Sequence, residues 1–95
     1  MTYDNLIQNK SYQFALNIAQ LAKELNAGSH FEISRQLIKS GTSIGANVEE
    51  ALGCFTKRDF THKMSIAYKE AWETTFWINL LRDSMIISQE DLWIY

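Results

Sequence analysis

Two apolar seams between Ile33 and Leu81 constrain the fold of this chain more than any other feature. In both seams, apolar or small residues recur at alternating steps of four and three residues. This spacing keeps one side of an α-helix turned towards a neighbouring helix. The pattern therefore predicts two long helices folded back on each other as an antiparallel hairpin. The first seam contains Leu37, Gly41, Ile44, Val48 and Ala51, and the second contains Phe60, Met64, Ala67, Ala71, Thr74, Ile78 and Leu81.

A hairpin that reverses at residues 53–56 has a definite register. It brings Gly41 beside Ala71, so that small residues meet where the helices approach, and elsewhere a large side chain mostly faces a small one. The same register brings Glu49 beside Lys63 and also Lys39 beside Glu73. The agreement of packing and charge favours the hairpin.

Gly41 and Gly45 fall in the middle of the first of these helices. Each glycine costs about 1 kcal/mol relative to alanine in a helix interior, so a loop that divides the segment is one interpretation. The apolar spacing continues undisturbed to Val48 and Ala51, which favours one continuous helix. In that helix the two glycines lie one turn apart and leave a groove where another backbone can approach closely.

The ends of the helices are marked by capping residues. An earlier helix, with apolar residues from Ile7 to Leu25, is predicted to end at residues 26–29, where Gly28 can adopt the left-handed conformation. The spacing of Ser29 and Glu32 predicts a capping box, so the second helix should start near residue 30. Thr56 is predicted to cap the third helix, which runs to about residue 83. Residues 88–95 resemble the start of a short fourth helix.

Length and composition agree with one all-α domain over residues 1–95. The chain of 95 residues has no proline and only four glycines, which favours long helices over turn-rich β-structure. We predict an antiparallel up-down bundle of three long helices plus a short or truncated fourth. The single cysteine, Cys54, excludes an intrachain disulfide and suits a reducing compartment. The sequence shows no signal peptide and no membrane-spanning stretch, so we expect a cytoplasmic protein without a membrane partner.

Aromatic side chains are numerous for so short a chain, with three Trp, four Tyr and five Phe. One small helical domain can hardly bury all of them, so we expect another copy of the chain to cover part of the surface. The third helix carries Tyr68, Trp72 and Phe76 on one flank and Trp77 on another. These aromatic residues, together with Gly41 and Gly45, are the predicted helix-packing and assembly residues.

No pattern of reactive residues predicts catalysis. The sequence lacks the Glu-x-x-His pairs of a di-metal bundle, the elbow of a catalytic nucleophile, and a glycine-rich phosphate loop. We therefore predict no enzyme activity, no catalytic residue, no metal and no cofactor. A basic cluster gives an alternative, nucleic-acid binding, although a net charge of −2 and interspersed carboxylates favour a solvated, salt-bridged face. The cluster contains Arg35, Lys39, Lys57, Arg58 and Lys63.

Three segments together resemble the signature of the 23S ribosomal RNA intervening-sequence protein family. They are residues 35–51, residues 59–64, and residues 69–74 with the following Trp77 and Leu80-Leu81. The likeness extends over about residues 14–88. It implies an up-down four-helix bundle that assembles into a ring, typically a homopentamer, with a largely undefined role. The family is similar in fold to the accessory variability proteins of diversity-generating retroelements, which are basic pentamers that bind nucleic acid.

The resemblance leaves two functional hypotheses and one structural question. The leading hypothesis is a homo-oligomeric assembly protein with an unidentified partner. The other is a ring that binds RNA or DNA through the basic cluster. The family's fourth helix is considerably longer than residues 88–95 allow, so we expect either a truncated chain or a bundle completed in another way.

Overall fold

Three α-helices make up the fold in the computed structural model, which describes residues 5–87. α1 spans Leu6–Ala27, α2 spans Phe31–Leu52 and α3 spans Lys57–Asp83. Within the described range there is no strand, so the all-α prediction is confirmed. The predicted fourth helix, residues 88–95, lies outside the described residues.

α2 occupies the centre of the arrangement, because it packs against both α1 and α3. It runs antiparallel to α1, since Gln8 near the start of α1 meets Glu49 near the end of α2. It also runs antiparallel to α3, where Lys63 meets Glu50. The antiparallel hairpin that the two seams predicted is therefore formed by α2 and α3, and α1 extends the up-down order to three helices.

α2 is one uninterrupted helix through both of its internal glycines, as the continuous apolar spacing predicted. The predicted neighbour of Gly41 was wrong, however. A Cβ atom at Gly41 would lie against Ile18 of α1, not against Ala71 of α3. At Gly45 the closest atom is the backbone carbonyl oxygen of Ser11, again on α1. The reason is that α2 has a neighbour on each side, so residues of one seam divide between α1 and α3.

The turn between α1 and α2 differs from its predicted form. Gly28 has a φ of −88°, and the left-handed residue is Ser29, with a φ of +68°. The backbone N–H of His30 donates to the carbonyl of Leu25, and that of Ser29 donates to Asn26, at 2.8 and 3.0 Å. This pair of bonds is the Schellman ending of a helix.

The predicted capping box at the start of α2 is absent for the same reason. His30 occupies the N-cap position without a side-chain hydrogen bond. Because the left-handed conformation of Ser29 closes α1, Ser29 is not the N-cap residue that a capping box with Glu32 needs.

Both ends of α3 lie where the sequence predicted them. The hydroxyl of Thr56 accepts a hydrogen bond from the backbone N–H of Asp59 at 3.1 Å, and the helix ends at Asp83. A second Schellman ending follows, in which Met85 is left-handed with a φ of +61°. The N–H groups of Met85 and Ile86 donate to the carbonyls of Arg82 and Leu81. This turn sends the chain back towards α1, where Ile87 is buried.

The core lies where side chains of all three helices meet. Its largest members on α1 and α2, Ile18, Leu21 and Leu37, are fully buried, and Leu81 joins them from α3. Ser34 is buried at the contact between α1 and α2, and its hydroxyl donates a hydrogen bond to the carbonyl oxygen of Ala22 at 3.1 Å. The buried hydroxyl is thus satisfied inside the interhelical contact.

Candidate assembly and nucleic-acid surfaces

A row of three aromatic side chains stands exposed on the outer side of α3. Tyr68, Trp72 and Phe76 are 67%, 62% and 59% exposed, respectively. They are spaced by one helical turn and therefore lie along one face of the helix. The rings of Tyr68 and Trp72 meet edge to face with their centroids 6.2 Å apart. We call these three residues the aromatic stripe.

A surface pocket lies along the edge of the aromatic stripe. It is lined by Tyr68, Ala71, Trp72 and Thr75, at positions i, i+3, i+4 and i+7 of one helix. Four residues in this arrangement form the hole that receives one side chain of a packed helix. Two of the lining residues, Ala71 and Thr75, are small, and the other two are aromatic.

Trp77 has a different environment from the stripe. Its side chain is half-buried and packs against the core cluster together with Ile78. The indole N–H donates to Oε2 of Glu73 at 3.4 Å, and the ring meets Phe76 edge to face at 5.0 Å. The structure thus places this residue in the chain's own packing, while Trp72 on the other flank stays exposed.

Gly41 and Gly45, also predicted assembly residues, are both buried within the chain. They lie on the side of α2 that α1 covers. The close approach that they permit is therefore the approach of α1 to α2 inside one molecule.

The predicted basic cluster does not form one surface patch. Arg35 lies in the second turn of α2, whereas Lys57 and Arg58 begin α3 beside the other end of α2. The 22 residues of α2 make a helix about 33 Å long, so most of that length separates the two groups. Lys39 lies one turn after Arg35 and belongs with it.

Two members of the cluster are held by carboxylates. Arg35 pairs with Glu32 at 2.5 Å, and Lys63 pairs with Glu50 at 2.9 Å. The hydrogen bond from Arg35 lowers the pKa of Glu32, and the bond to Glu50 raises the pKa of Lys63. Such neutralised cations contribute less to an attractive field for phosphate.

Within residues 5–87, the charged residues that the hairpin register brings side by side do not form ion pairs with each other. Lys63 forms its ion pair with Glu50. Glu49 instead accepts a hydrogen bond at 3.0 Å from the side chain of Gln8 on α1. In the described part of the chain no ion pair joins Lys39 to Glu73. Both differences follow from the rotation of α2, because the sequence register specifies the level of two residues along the helices but not the side on which each points.

The sequence predicted a groove beside Gly41 and Gly45 on α2, but it did not predict the surface depression that lies between α1 and α2. It is an open, mainly apolar depression of about 260 Å³ that residues of both helices line. Its lining includes several small residues, of which Gly45 and Ala46 are adjacent in the sequence. The lining residues are Gln8, Ser11, Tyr12, Ala15, Thr42, Gly45, Ala46 and Glu49. We call this depression the α1–α2 groove.

Potential metal ligands are not clustered in residues 5–87. Among these residues no three His, Cys, Asp or Glu side chains are grouped so that they could hold a metal ion. Cys54 is half-buried, and its thiol donates to the carbonyl of Glu50 at 3.2 Å. No helix in the described part of the chain is long and apolar enough to span a membrane.

The fold and these surfaces define a small helical protein built on an antiparallel hairpin that presents exposed aromatic side chains. The chain matches the model of the 23S rRNA-intervening sequence protein family over residues 3–93, and it belongs to this family. The resemblance inferred from the sequence motifs is thereby confirmed.

A solved structure is closely similar to this chain in both sequence and shape. It is the 1.70 Å crystal structure of a protein of unknown function from the S23 ribosomal protein family of Bacteroides thetaiotaomicron VPI-5482. The two are 43% identical, and the match has a TM-score of 0.87 and covers 90% of this chain and 80% of that one. Comparison with curated proteins gives no match.

Proposed function

We propose that this chain is a non-enzymatic, cytoplasmic assembly protein that forms a homopentamer through the aromatic stripe of α3. The observation that carries the proposal is the exposure of Tyr68, Trp72 and Phe76, each more than half accessible in a chain of 95 residues. The ring size rests on the family resemblance.

The stripe has the composition of a protein–protein contact. Trp and Tyr are the residues most enriched among those that dominate interface energies, and large exposed apolar patches mark interaction sites. The four-residue hole beside Trp72 adds a shape that a helix from another molecule can fill. The stripe, rather than Trp77 on the other flank, is therefore the surface that we assign to subunit contact.

Mass in solution tests this proposal directly. Sedimentation velocity and native mass spectrometry of the full-length protein at micromolar concentration should give about five times the 11.0 kDa mass of one chain. A stable monomer under these conditions would contradict assembly, and another closed number of subunits would correct only the ring size.

A pair of variants tests the surface itself. Trp72→Ala should dissociate the oligomer, whereas Phe31→Ala should leave it intact. The two side chains are matched in exposure, at 62% and 63%, but Phe31 begins α2 and lies outside the stripe. If Trp72→Ala forms an unchanged oligomer, the assignment of the stripe to the subunit interface is wrong.

A second candidate function is nucleic-acid binding by the assembled ring. It is supported by Lys57 and Arg58, which are exposed at the start of α3 and form no ion pair with another described residue. A ring would repeat this pair around its axis, and several weak phosphate contacts would then act together. The pairing of Arg35 and Lys63 with carboxylates makes this the weaker candidate.

Binding measured against salt separates this candidate from pure assembly. Fluorescence anisotropy of a labelled single-stranded RNA of about 20 nucleotides should show affinity that falls steeply as salt rises, because phosphate contacts release counterions. Lys57→Gln combined with Arg58→Gln should reduce the salt dependence, whereas Lys10→Gln combined with Lys23→Gln on α1 should not. Absence of binding at low salt, by intact oligomer, would exclude this function.

A further inference from the structure

We infer that the aromatic stripe of one copy docks into the α1–α2 groove of the next copy, so that the subunit contact joins two different surfaces. This inference rests on the proposed function, because it names the surface that receives the stripe. The groove lies between α1 and α2 and the stripe lies on α3, so every copy carries both halves of the contact.

The two surfaces match in length. From Tyr68 to Phe76 the stripe spans two turns of α3, about 12 Å. The groove is lined from Gln8 to Ala15 on α1 and from Thr42 to Glu49 on α2, which is also two turns, about 10 Å. A helix laid along the groove would therefore align the stripe with it, with Trp72 near the middle.

The two surfaces are also complementary in side-chain size. The stripe presents large rings, whereas the lining of the groove includes the small residues Ala15, Gly45 and Ala46. Bulky side chains that enter a groove lined in part by small residues give the close packing of a helix–helix contact. Two stripes facing each other would instead oppose ring to ring and leave the small-residue groove empty.

The charges at the rims are opposite. Glu49 is the only charged residue that lines the groove, and it is exposed. Beside the stripe Lys69 is exposed and forms no ion pair with another described residue. Two carboxylates follow Lys69 on the same helix: Glu70 is adjacent to it in the sequence, and Glu73, one turn later, accepts the indole N–H of Trp77. Docking would bring Lys69 to the side of the molecule that presents Glu49, which favours this orientation.

A contact between two different surfaces has a consequence that a contact between two stripes lacks. Each copy offers one stripe and one groove, so association continues beyond two copies, and a ring forms where the rotation between neighbouring copies closes. A stripe-to-stripe contact would end at two copies. The proposed pairing thus gives a structural reason for an assembly larger than a dimer.

Mixing two variants tests the pairing. Trp72→Ala removes the centre of the stripe and leaves the groove, whereas Ala46→Trp fills the groove and leaves the stripe. Both positions are exposed, so each variant should keep its helical circular dichroism. Gln20→Trp is the control for Ala46→Trp, because it adds the same indole at an exposed position of α1 that does not line the groove.

Each of the two variants alone should fail to form the oligomer, with a dissociation constant raised at least about 30-fold, the effect of losing one dominant interface contact. An equimolar mixture should form a dimer of unlike chains in sedimentation velocity, because one intact stripe then meets one intact groove. Gln20→Trp should assemble as the unaltered protein does.

The outcomes separate this inference from the proposed function. If the unaltered protein assembles, Trp72→Ala does not, and Ala46→Trp assembles normally, the stripe docks elsewhere and the inference is overturned while the proposed function stands. If the two variants fail separately and do not combine, the pairing is likewise overturned. If the unaltered protein is a monomer, the proposed function itself fails.

Discussion

Gly41 of α2 lies so close to Ile18 of α1 that a Cβ atom at the glycine would be 2.8 Å from Cγ2 of the isoleucine. Ile18 is fully buried, so its side chain has little room to move. We expect Gly41→Ala to lower the free energy of unfolding by about 1 kcal/mol, because the overpacking exceeds the gain in helix propensity. Chemical denaturation would measure the change.

Gly53→Ala is the matched control for this substitution. A Cβ atom at Gly53 would meet nothing closer than 3.7 Å, and its φ of −90° suits any residue. The substitution should be neutral or stabilising by up to about 1 kcal/mol. Equal stability of the two variants would show that α1 can move away from α2 without cost.

The hydrogen bond from Ser34 to the carbonyl of Ala22 should contribute to the contact between α1 and α2. We expect Ser34→Ala to lower the free energy of unfolding by about 1 kcal/mol, since a buried interhelical hydrogen bond is lost. Ser65→Ala is the control, because the exposed Ser65 hydroxyl bonds only within α3 and alanine favours a helix. Thermal unfolding that ranks the two variants in the opposite order would contradict a stabilising role for Ser34.

Trp77 and Trp72 should respond differently to truncation. Trp77 packs against the core, so we expect Trp77→Ala to lower the free energy of unfolding by about 2 kcal/mol or more at every protein concentration. The effect of Trp72→Ala on the free energy of unfolding should instead depend on protein concentration, because Trp72 stabilises the folded chain through association with other copies. Urea titrations at several concentrations distinguish the two, and a concentration-independent loss in both variants would contradict the assignment of Trp72 to an interface.

Met85 should be a site of stored backbone strain. Its φ of +61° lies in the left-handed region, which costs a residue with a Cβ about 1–2 kcal/mol. Its side chain is 87% exposed, so little packing is lost on truncation. We therefore expect Met85→Gly to raise the melting temperature, whereas Met85→Ala should not. A lower melting temperature for the glycine variant would show that the side chain contributes packing that outweighs the strain.

The number and placement of the three described helices could be predicted from the sequence. Helix formation depends on local features, namely an unbroken apolar period through Gly41 and Gly45, the absence of proline, and the capping hydroxyl of Thr56. The excess of aromatic residues also indicated in advance that α3 carries more apolar surface than one chain covers. Such information is contained in single segments, so the sequence suffices to read it.

Tertiary structure alone decided which neighbour each residue meets. The period of a helix fixes which side chains share a face, but not the rotation of that face between two packed helices. For this reason Gly41 meets α1, and Trp77 is packed inside while Trp72 stays exposed. Likewise, the left-handed residue predicted at Gly28 is Ser29 in the structure. The direction in which the chain leaves α1 determines which residue adopts this conformation. Rotation and direction are properties of three helices packed together, which is why no single segment specifies them.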